Sequence, residues 1–464
     1  MADALSFCQP HEVLQTMYLA GRARRAKSTS VRVGSVAARV AVAVVFTAAC
    51  VSSMPDGSPS GSDGSPSASG VEPSASGVEP SASDGSPSAS GGDPSMPLTM
   101  EVVQEGLSIP WDLAFTPDGA MLVTERVGRL TVFESGEPGA PRLASYEIPD
   151  ALSIGEAGAM GIAVDTDFAN HPYAYVCVSR DADGPEGPGP YVNQVLKYRI
   201  GADLGLTLEG PLFAQVIGAN RQHNGCAVEM DSDGLLWISV GDNLHAREDW
   251  PGDPGRLNGK VLRVRRDGTP PDDNPLFDGQ TEPGLVYSRG HRNPQGIAFT
   301  QSGEVYVAEH GPIVNDEINH IVAGGHFGWG CYSGADTPWE KPPPTCEPAG
   351  AYLPPAWASG EVTLATSGAT FLGEEWGDWN GNLIVATLKE NDLRRFVLSP
   401  DGTLELEEIL LDGAYGRLRA AVIGSDGALY VTTSNASNAS KEGKTPVPEQ
   451  HEDAIVRIAP AQDD

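Results

Sequence analysis

From residue 98 onward the chain repeats one pattern: an apolar run, a turn signal, and a second apolar run. It reads Leu113-Ala-Phe-Thr-Pro-Asp-Gly-Ala-Met-Leu-Val-Thr and then Ala227-Val-Glu-Met-Asp-Ser-Asp-Gly-Leu-Leu-Trp-Ile-Ser. It returns at Ile297-Ala-Phe-Thr-Gln-Ser-Gly-Glu-Val-Tyr-Val-Ala and at Ala421-Val-Ile-Gly-Ser-Asp-Gly-Ala-Leu-Tyr-Val-Thr. Looser copies begin at Gly161-Ile-Ala-Val-Asp and at Ala369-Thr-Phe-Leu, the latter turning through Trp379-Asn-Gly-Asn before Leu383-Ile-Val-Ala. Two short apolar runs around a Gly-containing turn form a β-hairpin. Six such hairpins, with further strand-like runs between them and no strong helical period, predict an all-β fold. The prediction is a six-bladed β-propeller of four-stranded antiparallel blades, covering residues 98–464 as one domain. A pair of β-sandwiches is the alternative, and the regular recurrence of the hairpins disfavours it.

The first 97 residues follow a different pattern. A basic stretch, Arg22 to Lys27 with Arg32 and Arg39, precedes the apolar run Val40 to Ala49. The run is too short to span a bilayer permanently and ends in Thr47-Ala-Ala-Cys50, so residues 1–50 read as an export signal. Cys50 after two alanines is similar to a bacterial lipoprotein lipobox, which implies a lipidated Cys50 and an outward-facing, membrane-anchored protein; a plain secretory signal is the alternative. Residues 51–97 are rich in Ser, Gly and Pro, repeat Ser-Ala-Ser-Gly-Val-Glu-Pro, and contain no Lys or Arg. With little apolar surface to bury they are expected to form a disordered linker. Export also favours disulfides over buried thiols for Cys177 with Cys226 and for Cys331 with Cys346.

Charge narrows the partners. The chain of 464 residues has 30 Lys and Arg against 62 Asp and Glu, a formal net charge of −32. Such a field repels nucleic acid and suits neutral substrates or cations such as calcium.

Polar strings cluster at corresponding ends of the hairpins. They are Glu156-Ala-Gly, Gln222-His223-Asn-Gly, Gly290-His-Arg292-Asn293-Pro-Gln-Gly, His310-Gly311-Pro312, Asn315-Asp-Glu317-Ile-Asn, and Arg417-Leu-Arg419. Together these strings resemble the soluble quinoprotein glucose dehydrogenases, the glucose/sorbosone dehydrogenase family that uses pyrroloquinoline quinone (PQQ). The likeness is strongest from Gly290 to Trp329. It implies a PQQ- and calcium-dependent aldose dehydrogenase that oxidises the anomeric carbon to a lactone and passes electrons to an acceptor the sequence does not name. PQQ is a planar trianion, so its site requires clustered cations in a chain that is otherwise acidic.

The resemblance assigns roles as follows. Lys389, Arg417 and Arg419 hold cofactor carboxylates and quinone oxygens; Asn293 and Thr363 bond the cofactor rim; Arg292 steadies charge developing on the reduced cofactor. His223 is the general base. Active-site calcium falls on the carbonyls of Gly311 and Pro312, and a second calcium on Glu317 with the Phe327 carbonyl. Three cofactor-side positions depart from the glucose-oxidising members: Glu156 and His310 where they have Gln, and Gln222 where they have Asp beside the base. The missing Asp leaves His223 either less basic or oriented by another group such as Glu156. Two other classes remain open: a calcium-dependent lactonase, which would need carboxylates around a central metal, and a non-catalytic carbohydrate- or protein-binding propeller.

Overall fold

The computed structural model describes residues 96–181, 191–215, 217–244, 249–333, 337–338, 345–437 and 453–461. The expected export signal with Cys50, and all of the expected linker except its last two residues, lie outside the described residues. The fold is the six-bladed β-propeller, each blade an antiparallel sheet whose innermost strand starts one of the six hairpins. Blade 1 comprises Pro110–Phe115, Met121–Glu125, Arg129–Phe133 and Arg142–Glu147. In blade 2, Ala159–Val164, Tyr173–Asp181 and Tyr191–Ile200 are followed by Leu206–Pro211 and Ile217–Gly218, which both pair with the third strand. Blade 3 comprises Gly225–Met230, Leu236–Val240, Lys260–Val264 and Val286–Arg289. Blade 4 comprises Pro294–Phe299, Val305–Glu309, Glu317–Ile321 and Trp357–Ala358. Thr366–Phe371, Leu383–Thr387, Leu393–Leu398 and Leu404–Leu410 form blade 5. Blade 6 takes Leu418–Ile423, Leu429–Thr433 and Ile455–Pro460 from the end of the chain and its outer strand, Leu98–Gln104, from the beginning.

The core is divided into six wedges, one between each pair of neighbouring blades. In blade 1, Leu122 packs toward blade 2 while Met121 and Val123 pack toward blade 6. Second strands are therefore apolar on both faces, and Met121–Glu125, Leu236–Val240 and Leu383–Thr387 are buried at every position. This explains continuous apolar runs where a one-sided sheet would alternate. The turns repeat too: in blade 3 the Gly234 N–H donates to the Asp231 carbonyl at 3.0 Å, with Gly234 at φ 77°.

All six innermost strands carry a register shift near their start. Such a bulge adds twist and re-aims the flanking side chains. Beside it the strands pack backbone to backbone. At Gly161 of blade 2 a Cβ would overlap the Cys226 carbonyl oxygen of blade 3, and Gly368 is equally close to blade 6. Blades 2 and 3 are also joined covalently. Cys177 and Cys226 form a disulfide with Cα atoms 5.7 Å apart, closing 49 residues of chain, and Cys331 and Cys346 form the second. By the loop-entropy relation the 49-residue closure is worth about 4 kcal/mol.

Gly161→Ala is expected to lower stability by about 1–3 kcal/mol through forced separation of the inner strands. The guanidinium unfolding midpoint measures this, and an unchanged midpoint would show that the inner strands do not need that approach.

Candidate active site

In every hairpin the start of the inner strand and the end of the second strand lie at the same end. Each blade thus sends two short segments toward one face of the ring. Just before the six inner strands, Ile109, Gly155, His223, Gly290, Ala365 and Gly416 all adopt positive φ. For Ile109, His223 and Ala365 this is a left-handed conformation that a side chain disfavours, and such strain persists only where the surroundings enforce it. At His223, with φ 57°, the N–H donates to Glu156 Oε2 at 2.9 Å and the carbonyl accepts from the Asn243 N–H at 3.2 Å.

The His223 ring is held by a residue the sequence reading missed. Asp242, 1% exposed, places Oδ1 2.8 Å from His223 Nδ1, and its Oδ2 accepts the Trp329 indole N–H at 2.7 Å. Glu156 does meet His223, but through the backbone, so the expectation that Glu156 orients the ring is corrected: Asp242 does. A carboxylate at Nδ1 selects the tautomer that carries its proton there and leaves Nε2 as the basic nitrogen. Gln222 is exposed beside this pair.

Cations gather from four blades. Arg292 donates from Nη1 to the His310 carbonyl at 3.1 Å, sits 5.3 Å over the Trp329 ring, and has a buried Nε with no hydrogen-bond partner. Arg419, 5% exposed, stacks 3.5 Å over Trp111 and donates to Gln295 at 3.1 Å. Arg417 donates to the Leu388 carbonyl at 2.7 Å, and the exposed Lys389 donates to the Thr363 carbonyl at 3.0 Å. Arg126, also missed from sequence, donates to the Gly155 carbonyl and feels both Glu156 and Asp453. Burial draws Arg419 down to about 9, with neighbouring Arg417 adding to the shift. Carboxylates face these cations as well: Asp242, Glu156, Glu309 and Asp316 at Arg292, and Glu156 and Asp112 at Arg419.

His310 and Asn293 complete the rim. Burial pushes the His310 imidazole down to about 3, with Arg292 and Arg419 adding to the shift and Glu156 opposing it. It is therefore neutral at physiological pH. Its Nδ1 lies 3.5 Å from Asn293 Nδ2, and its buried Nε2 has no partner. The Asn293 Oδ1 is already engaged by the N–H of Gly225 and the amide of Gln295.

Asp316, in the Asn315-Asp-Glu317 string, is deeply buried. It is 0% exposed, and its carboxylate accepts the N–H groups of Gly311, Leu364 and Ala365 and the Thr363 hydroxyl. It ties the Gly311-Pro312 turn to the Thr363 loop. Glu317 shares the Asn319 amide with Glu309, and the Phe327 ring stacks on His291 at 4.8 Å. Among the described residues no three His, Cys, Asp or Glu side chains form a metal-holding group.

Residues 107–441 match the Glucose / Sorbosone dehydrogenase family. The chain belongs to this family. It is 30% identical over 350 residues to aldose sugar dehydrogenase YliI of Escherichia coli, covering 73% of this chain and 91% of that protein. Among solved structures, the apo-form soluble aldose sugar dehydrogenase of E. coli matches with a TM-score of 0.67 at 26% identity, over 79% of this chain and 100% of the other. The PQQ-bound aldose sugar dehydrogenase of Streptomyces coelicolor matches with a TM-score of 0.62 at 25% identity, over 79% and 99%. As a member of the family, the protein is an oxidoreductase acting on the CH–OH group of a sugar.

Asp242→Asn should leave the fold intact but let the His223 ring adopt the wrong tautomer, lowering kcat by about 100-fold with little change in KM. Steady-state kinetics with dye reduction measures this; a wild-type kcat would remove Asp242 from the reaction.

Proposed function

We propose that this protein is a PQQ- and calcium-dependent aldose dehydrogenase that oxidises the anomeric carbon of its sugar to a lactone, with His223 as general base. The observation that carries the reading is the His223–Asp242 pair set among Arg292, His310 and Arg419, which bring two guanidiniums and unpartnered donors to one place. Free donors on Arg292 Nε and His310 Nε2, with Arg417, Arg419 and Lys389 nearby in the ring, fit a planar polyanion rich in carbonyl and carboxylate oxygens.

When bound, PQQ accepts two electrons from the sugar as a hydride. Lys389, Arg417 and Arg419 would hold its carboxylates, Asn293 and Thr363 its edge, and Arg292 and His310 the oxygens that gain charge. His223 Nε2 takes the proton of the anomeric hydroxyl, and Asp242 stabilises the imidazolium that results. Glu156 anchors the His223 backbone, and Asp242 fixes where Nε2 points. Calcium would rest on the carbonyl oxygens of Gly311 and Pro312, whose turn Asp316 braces, and a second calcium on Glu317 and the Phe327 carbonyl. A metal-hydrolase site would need several side-chain ligands converging on one point, and among the described residues no three His, Cys, Asp or Glu side chains do so, which disfavours that alternative. We further propose that the protein is exported, anchored through lipidated Cys50 on its 51–97 linker, and hands electrons to an external acceptor.

Full-length protein supplied with calcium and PQQ is expected to reduce a dye with one or more aldoses. His223→Gln is expected to lose about 10²–10⁴-fold in turnover while still binding PQQ, measured by absorbance and fluorescence. Absence of PQQ binding would overturn the assignment; loss of binding together with turnover in the variant would make His223 structural.

A further inference from the structure

Two carboxyl groups take no part in the reaction above. The third residues of the six inner strands, Asp112, Gly161, Ala227, Gly296, Gly368 and Ala420, all line one cavity in the middle of the ring. Small residues there let the blades close together. Asp112 is the exception in that ring, and Glu229, two positions further along the blade 3 strand, is the other carboxyl lining the cavity. The remaining ionisable group in its wall is Arg419, stacked over the ring of Trp111, the residue before Asp112. Gln295 also lines the cavity and accepts from Arg419. The cavity therefore has one wall in common with the cofactor site.

We propose that Asp112 and Glu229 form a proton-binding pair behind the cofactor site, and that seating an anionic cofactor on Arg419 draws a proton onto Asp112. The proposal rests on the PQQ reading of the site. Arg419 is attracted by Asp112 from the cavity side and by Glu156 from the site side, while Arg417 and Arg126 repel it. An anion bound at Arg419 competes with ionised Asp112 for the same guanidinium. Protonating Asp112 ends the competition. Two observations support a transition near neutrality. Asp112 accepts N–H bonds from Leu113 at 2.9 Å and Ile162 at 3.1 Å, yet burial outweighs these and Arg419 and raises it to about 7. Glu229 is raised as well, by burial and then by the Asp112 charge. Near neutrality Asp112 is thus balanced between its two forms. Because binding favours the protonated form, affinity is greatest below the Asp112 transition and falls as pH rises through it.

The test is fluorescence titration of PQQ into full-length protein at constant calcium from about pH 6 to about pH 9. Above the midpoint the wild-type Kd is expected to rise by up to about tenfold per pH unit for one linked proton. In Asp112→Asn the rise is expected to disappear, so that the variant binds tighter than wild type at high pH and equally at low pH. A merely structural role for Asp112 would weaken binding at every pH. Should the variant fail to fold, wild-type protein carrying ¹³C-labelled aspartate decides: adding PQQ at about pH 8 should produce a label-sensitive protonated-carboxyl stretch in the infrared difference spectrum. An unchanged slope in the variant, a pH-independent wild-type Kd, or no such band overturns the proton linkage alone. Failure to bind PQQ at any pH overturns both this inference and the functional reading.

Discussion

Every functional residue in this protein depends on closure of the ring between its first and last strands. Leu98–Gln104 pairs with Ile455–Pro460 over nearly its whole length, and that pairing completes blade 6. Blade 6 in turn fills the wedge with blade 1, where Tyr430 and Ile455 meet Leu113 and Met121. Asp453 reinforces the seam by accepting N–H bonds from Ile109 on one side and Asn435 and Ala436 on the other. The site draws Arg126 from blade 1, Glu156 from blade 2, His223 and Asp242 from blade 3, Arg292 and His310 from blade 4, Lys389 from blade 5, and Arg419 from blade 6. None of these blades could place its residues against the others in an open array, since each wedge core fixes only one neighbour.

The same closure explains how a chain of net charge −32 gathers a cationic centre. Among the described residues, exposed carboxylates such as Glu137, Asp233 and Glu407 lie at blade edges and turns, where water screens them. The guanidiniums of Arg292 and Arg419 are removed from water, so their fields act at short range with little screening. Burial lowers both, and neighbouring carboxylates oppose the shift: Asp242, Glu156, Glu309 and Asp316 at Arg292, and Glu156 and Asp112 at Arg419. The acidic whole and the basic centre are therefore compatible because they occupy different dielectric surroundings.

How far the sequence was legible depended on the kind of signal. The six hairpins could be read because both faces of their second strands are buried, giving apolar runs separated by Asp-Gly turns at a steady spacing. His223 and Arg292 could be read from strings before the inner strands. Asp242 and Arg126 could not, although each lies within two residues of the end of the second strand of its blade, as His310-Gly311-Pro312 directly follows its own. Treating that segment as a second contributor from each hairpin would have found them. The part of Asp316 was not legible because Asn-Asp-Glu has the composition of a solvated turn; only burial and the three N–H groups around its carboxylate distinguish it. Among the described residues, the pairing of Cys177 with Cys226 was legible because the two strands lie on adjacent blades, while the orientation of His223 required atomic distances.

One feature of the closing strand reaches beyond this chain order. Leu98 lies opposite Pro460, and the Ala461 N–H donates to the Pro97 carbonyl at 2.8 Å, so the propeller begins and ends side by side. A few residues could bridge these ends without disturbing a blade. The ring then has no privileged starting point, and new termini could be opened at a surface turn away from the convergent face. The order in which the blades are encoded is thus separable from the geometry they build, and the domain is a natural scaffold for circular permutation.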